Sequence, residues 1–190
     1  MNADLSSFLV SSKAARWRIA VTVVAAVLML IISELAYQSQ RSQLQAISTM
    51  TQARTLQSYV MRRVTDAESG KRGYLLVGGD AYLEPYNQAR RDVRFALGEI
   101  RKLDALVAQG ELEALQSAFE GLVDEKLQEM ETVLKEHEEG RTQAALDLVR
   151  TGIGREIMQR LRDSHEANMA ARKERIDRAL KNNQDLLLLG

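Results

Sequence analysis

A single proline, Pro85, stands in a chain of 190 residues. Proline removes a backbone donor and breaks helix interiors. A chain that nearly lacks it, holds 5% aromatic residues and is rich in Leu, Ala, Glu, Gln and Arg is therefore suited to long helices rather than sheets. The expected fold class is all-α: an N-terminal transmembrane helix followed by an antiparallel four-helix bundle with long first and last helices. The 26 Lys and Arg residues balance 26 Asp and Glu, so no broad field draws the chain to nucleic acid. The absence of cysteine excludes disulfides, thiolate metal sites and cysteine nucleophiles, and leaves the redox compartment open.

From Ile19 to Ile32 no charged residue occurs. That length alone suits a signal-peptide core or a buried helix as well as a membrane span. The flanks decide between these readings. Lys13, Arg16 and Arg18 precede the apolar run, Trp17 opens an interfacial belt and Tyr37 closes it. A helix between the two aromatics rises about 30 Å, the thickness of a hydrocarbon core. Glu34 falls near the outer end, where a carboxylate reaches the headgroups. No A-x-A cleavage site follows, so the segment is read as an uncleaved signal anchor. Residues 1–16 then form a cytoplasmic tail and 17–37 the transmembrane helix in the lipid bilayer. Everything after Tyr37 lies outside, in the periplasmic or extracellular space. The chain closes on Leu186-Leu187-Leu188-Leu189-Gly190. Four leucines cannot cross a bilayer, so 186–190 is read as the start of a second transmembrane helix, with a small apolar tail as the other possibility.

Between these points, residues 38–185 carry helical patterns. Leu44, Ile47, Thr51, Arg54, Tyr59, Val60, Val64, Ala67 and Leu75 give a patchy stripe that strengthens from Leu56 onward. Gly78-Gly79 stops it and offers Asp80 as the next N-cap, with Pro85 just inside the following helix, where its missing donor costs least. Tyr82, Tyr86, Ala89, Val93, Ala96, Ile100, Leu103 and Val107 alternate spacings of four and three, the clearest seam in the chain. After Gln109-Gly110-Glu111, a third stripe runs through Leu112, Leu115, Phe119, Leu122, Lys126, Met130, Val133 and His137. Ala145, Leu148 and Val149 follow, Thr151-Gly152-Ile153-Gly154 interrupts, and Ile157, Leu161, Met169, Ile176 and Leu180 return. Short breaks make neighbours antiparallel. The first and last helices overhang the inner pair. Their weak stripe calls for a second protomer, so a parallel homodimer is expected.

The most distinctive run is Asp66 to Tyr86, which reads Asp-Ala-Glu-Ser-Gly-Lys-Arg-Gly-Tyr-Leu-Leu-Val-Gly-Gly-Asp-Ala-Tyr-Leu-Glu-Pro-Tyr. It resembles the signature of the CHASE type-three domain, a helical extracellular sensory module of bacterial histidine kinases, diguanylate cyclases and chemoreceptors. Leu122-Val123-Asp124-Glu125-Lys126-Leu127, Glu139-Gly140, Ala144-Ala145-Leu146, Val149-Arg150, Gly154 and Met158 resemble the rest of that pattern. The resemblance implies a non-catalytic sensory input to an output domain. It implies no cofactor.

The residues of the signature also have a reading of their own. Gly70 and Gly73 each cost a helix about 1 kcal/mol relative to alanine, so close packing is expected against them. Glu68 and Arg72 stand four apart in the favourable order for an ion pair on one face, and Tyr74 can make a polar contact at the bundle end. A small anionic ligand would be met first by Arg72 and then by Lys71. The candidate site is therefore Arg72, Lys71, Glu68 and Tyr74. Ser164-His165-Glu166 echoes the opening of a histidine-kinase phosphoacceptor box, but Ala167-Asn168-Met169 does not continue it. His165, Asn168 and Arg172 are read instead as polar seam residues, a kind that can set register or tune stability at dimer interfaces. His137, among Glu136, Glu138 and Glu139, reads as a solvated helix end rather than a metal site. No phosphate loop, H-E-x-x-H pair or G-x-S-x-G elbow occurs.

These features point to the sensory input of a membrane receptor, foremost a two-component histidine kinase, signalling through helix displacement in response to a small ligand or an envelope protein. A structural alternative stands beside it: a single-pass adaptor of the cell envelope that binds another membrane protein.

Overall fold

The computed structural model describes residues 3–107 and 110–188, all of them helical or in short connections. Among them are α1 (Ala3–Val77), a short 3-10 turn (Asp80–Leu83), α2 (Glu84–Val107), α3 (Glu111–Glu138), α4 (Thr142–Arg150) and α5 (Ile153–Leu188). Two compact units divide the chain after Leu44, and α1 contributes to both.

In the first unit every described side chain from Trp17 to Tyr37 is exposed, including Val23, Val24, Leu28, Leu30 and Ile31. The helix is long and apolar enough to cross a membrane. Gln38 Nε2 donates to Glu34 Oε1 at 2.9 Å, so the outer carboxylate has a partner within its own helix. The side chains of Lys13 and Arg16 lie outside the described residues, as do those of Leu186 to Leu188 and the whole of Leu189 and Gly190.

The second unit is an antiparallel bundle of α1, α2, α3 and α5, with α4 as a short turn of helix between α3 and α5. Direction follows from the cross-links. Tyr59 and Arg63 of α1 meet Asp92 and Gln88 of α2 in descending order. Arg90 and Arg101 of α2 pair with Glu131 and Glu120 of α3, and Arg160 of α5 reaches Glu125 of α3. Buried positions recur with spacings of three and four. On α1 they are Met50, Ala53, Gln57, Val60, Val64, Ala67 and Lys71, and on α3 Leu112, Gln116, Phe119, Val123, Lys126, Met130 and Val133. Those are unbroken heptad seams facing one core. On α2, Tyr86, Ala89, Val93, Ala96 and Ile100 are buried as the pattern expects, while Tyr82 is exposed and the seam ends on Asp104.

The breaks sit at glycines with positive φ. Gly78 and Gly79 have φ of 77° and 94°, a backbone that a Cβ disfavours, and they turn the chain from α1 to α2. Asp80 is not the N-cap expected from sequence. Gly79 holds that position without a side-chain cap, and Asp80 opens the 3-10 turn. The turn delays α2 to Glu84 and leaves Pro85 in its first turn, where the missing donor is harmless. Part of the break between α2 and α3, Gln109, lies outside the described residues.

Candidate functional site

The signature run ends α1 and packs directly on the start of α2. A Cβ at Gly70 would overlap the Tyr82 carbonyl oxygen, and one at Gly73 would stand 2.5 Å from the Tyr82 ring. The two glycines are therefore the notch that receives the incoming turn. With α2 so close, Glu68 and Lys71 of α1 point inward and meet Lys126 and Glu129 of α3.

Four charges share this interior. Lys126, fully buried, donates to Glu129 Oε2 at 2.8 Å and to the Gly154 carbonyl of α5 at 2.9 Å, and pairs with Glu68 Oε2 at 3.2 Å. Lys71 donates to Glu129 Oε1 at 3.0 Å. Two cations thus face two carboxylates, and the layer is balanced. Gly154 is part of the design, because a Cβ there would lie 2.7 Å from Glu129 Oε1. Burial pushes the Lys71 ammonium below the usual lysine range and outweighs the pull of Glu129. Burial pushes Glu129 up, but the Lys126 hydrogen bond and the charges of Lys71 and Lys126 overcome it and leave the carboxyl below its ordinary value.

The four residues singled out in the signature are thus split between interior and surface. Glu68 and Lys71 are buried and committed to ion pairs. Arg72 stays on the surface, its side chain 62% exposed, and donates to Glu68 Oε1 at 2.5 Å. Tyr74 packs edge-on against His137, ring centroids 5.3 Å apart. Glu136 and Glu139, beside His137, are both held by Arg141. Among the described residues no group of His, Asp or Glu converges to hold a metal ion.

A second polar layer lies toward the α2–α3 turn. Arg172 of α5, fully buried, forms a two-pronged pair with Asp104 of α2 at 2.5 and 2.6 Å and donates to Gln116 of α3 at 3.3 Å. Asn168 donates to the carbonyls of Leu115 and Ser164, each at 3.0 Å. Asn168 and Arg172 are therefore inside one chain's bundle, not on a face that a second copy could meet. The dimer-interface role expected for them is corrected accordingly. His165 is half-buried against Phe119, with ring centroids 6.1 Å apart, and burial lowers its pKa against a weaker upward pull from Glu166. Sequence reading missed Glu129, Asp104 and Gln116, although Asp104 and Gln116 continue the seams of their helices at regular spacing.

Comparison with known proteins adds the family. No match is found among curated proteins. The sensor domain of the Rhodopseudomonas palustris histidine kinase HK9 is similar in fold, with a TM-score of 0.61 at 23% identity over 67% of this chain and 98% of that domain. The CHASE3 domain pattern matches residues 38–183, which takes in both polar layers and the glycine notch. The chain belongs to the CHASE3 family of sensory domains.

Proposed function

We propose that this chain is the extracytoplasmic input region of a membrane receptor, foremost a two-component histidine kinase, with its N-terminus in the cytoplasm and its bundle outside the bacterial inner membrane. The observation that carries the reading is a CHASE3 domain at 38–183 in a chain whose helix is exposed at every residue from Trp17 to Tyr37 and apolar enough there for a span. The signal is a displacement of α1 against α5, and the working unit is a parallel homodimer. Arg72 is the exposed one of the four candidate residues. A small anion bound there competes with Glu68 for the guanidinium and so reaches the buried layer. A few kcal/mol of differential binding is enough to move a two-state bundle.

The chain has no cysteine, so topology can be read with single introduced thiols. In intact cells with a permeable outer layer, a membrane-impermeant maleimide should label Arg141→Cys and spare Ser6→Cys until lysis. Labelling of Ser6→Cys from outside overturns the orientation. Sedimentation of the full chain in detergent should give a dimer, and a monomer at all concentrations removes the homodimer.

A further inference from the structure

Between α2 and α3 runs a groove of about 510 Å³, within the range of small-molecule sites. Its two walls carry opposite charge. From α2 come the guanidinium groups of Arg90, Arg94 and Arg101, and from α3 the carboxylates of Glu120, Asp124 and Glu131. Two of the three pairs these could form are closed, Arg90 with Glu131 at 3.4 Å and Arg101 with Glu120 at 3.3 Å. The third is open. Arg94 and Asp124 are both exposed, and neither has a hydrogen bond or ion pair among the described residues.

Register and chain direction keep that pair open. Four residues in from the Arg90–Glu131 pair on each helix, Arg94 stands across from Leu127. Four residues in from the Arg101–Glu120 pair, Asp124 stands across from Leu97. The two free charges are thus offset by three residues, about 4.5 Å along the axis. Helical side chains lean toward the N-terminus of their own helix, and the two helices are antiparallel, so Arg94 leans toward Arg90 and Asp124 toward Glu120. The charges diverge over a base formed by buried Leu97 and half-buried Leu127. The surroundings of each end have their own sign. Arg94 also lines an adjoining recess with Asn87, Arg90 and Arg91, whose described lining holds no carboxylate, whereas Asp124 stands on its helix between Glu120 and Glu131.

We propose that this groove binds a small zwitterion, an α-amino acid with an aliphatic side chain, whose carboxylate accepts from Arg94 and whose ammonium donates to Asp124. Two charge-assisted hydrogen bonds of about 2.8 Å each and the short body of such a molecule bridge the diagonal that the two side chains leave open. Its aliphatic part lies over Leu127. A plain anion would satisfy Arg94 and leave Asp124 open, and a plain cation the reverse. This site is separate from Arg72, and binding here depends on neither the membrane orientation nor the signalling reading above.

The test is equilibrium dialysis of the full chain in a neutral detergent against labelled L-leucine at about 0.15 M salt, where diffuse surface attraction is screened. One site per chain is expected, weakened at least fivefold by Arg94→Gln and by Asp124→Asn. Arg162→Gln, which changes an exposed arginine of α5 outside the groove, should leave binding unchanged. Neither groove residue makes a contact whose loss would unfold the bundle, and unchanged helical circular dichroism checks this. A second arm needs no variant: N-acetyl-L-leucine, which lacks the ammonium, and L-leucinamide, which lacks the carboxylate, should each compete at least fivefold less well than L-leucine itself. Absence of L-leucine binding, equal weakening by Arg162→Gln, or full retention of binding in either groove variant overturns the proposal. Equal competition by N-acetyl-L-leucine makes the groove a simple anion site and equal competition by L-leucinamide a simple cation site, and either result overturns it as well.

Discussion

Replacing Lys126 by methionine removes a side chain that touches α1, α3 and α5 together. Its ammonium is fully buried and loses contacts at 2.8, 2.9 and 3.2 Å. Breaking a buried ion pair from one side costs about 3–5 kcal/mol, because the other charge is left desolvated. Here each orphaned carboxylate keeps one cation, Glu129 with Lys71 and Glu68 with Arg72. The cost should therefore sit at the low end, about 3 kcal/mol, out of a total of about 5–15 kcal/mol for a domain. At about 2–4 °C per kcal/mol for a chain of this size, the midpoint of thermal unfolding should drop by roughly 6–12 °C. Helical circular dichroism during heating and in urea reads it directly. Arg160→Met is the comparison, since it deletes an exposed pair with Glu125 at 3.3 Å and should cost about 0.5 kcal/mol at most. Adding Glu129→Gln to Lys126→Met should cost less than the two single changes together, because the Lys126–Glu129 contact they share is lost only once. A Lys126→Met chain as stable as Arg160→Met would refute the claim that this layer is coupled and buried.

Further outcomes follow from the glycine notch, the half-buried imidazole and the core amide. Gly70→Ala pushes a Cβ into the Tyr82 backbone oxygen, while Gly73→Ala meets only the half-exposed Tyr82 ring. Unfolding titrations should show Gly70→Ala destabilised by about 1–3 kcal/mol and Gly73→Ala near neutral, its strain offset by better helix propensity. For His165 the folded pKa is lowered, chiefly by burial. As pH falls from about 6.5 towards that folded value the unfolded chain takes up a proton first, so stability should decline in this window. The decline should be absent in His165→Phe. NMR titration of the imidazole checks the same point, and a pKa at or above 6.5 contradicts it. Gln57 is fully buried on α1, and neither atom of its amide has a partner among the described residues. Gln57→Leu should raise stability by about 1 kcal/mol, measured by the urea midpoint.

Helical class, break positions and the α2 seam were legible because they depend on local spacing and on glycine. Gly78-Gly79, Gly110, Gly140 and Gly152 all adopt positive φ at the breaks. Glu68–Arg72 was legible because it is a contact four residues apart. The interior charges were harder to find for a specific reason. On α1 and α3 the seam includes Gln57, Lys71, Gln116 and Lys126 at the same spacing as its apolar members. On α3 the stripe read from the sequence keeps Lys126 but steps sideways to Leu115 and Leu122, where Gln116 and Val123 are the buried residues. On α2 it ends on Leu103 and Val107, where Asp104 is the buried residue. Their partners are distant in sequence: Arg172 and Asp104 are 68 positions apart, Lys71 and Glu129 58. No local pattern carries such a pairing. A polar residue that keeps heptad phase is the available signal.

The placement of the two layers constrains how the bundle can move. One joins Glu68 of α1 and Gly154 of α5 through Lys126 of α3, and the other joins Arg172 of α5 to Asp104 of α2 and Gln116 of α3. Only α3 and α5 take part in both. Contacts of 2.5–3.3 Å cannot survive a one-turn slip of about 5.4 Å, so a long slide of α5 would break the second layer and the Lys126–Gly154 bond of the first together, and leave Arg172 and Asp104 as unpaired buried charges. Within the two layers, a motion in which α1 shifts while α5 stays seated breaks the contacts of Glu68 and Lys71, and outside them the part-buried bonds of Tyr59 and Arg63 to α2. Two of the groups lost from that layer then keep a partner, since Arg72 travels with Glu68 on α1 and Lys126 stays with Glu129 on α3. Under the proposed signalling role, the cheaper displacement is that of α1. Arg72, the exposed residue bonded to the α1 carboxylate at 2.5 Å, is then placed where a ligand contact changes its cost.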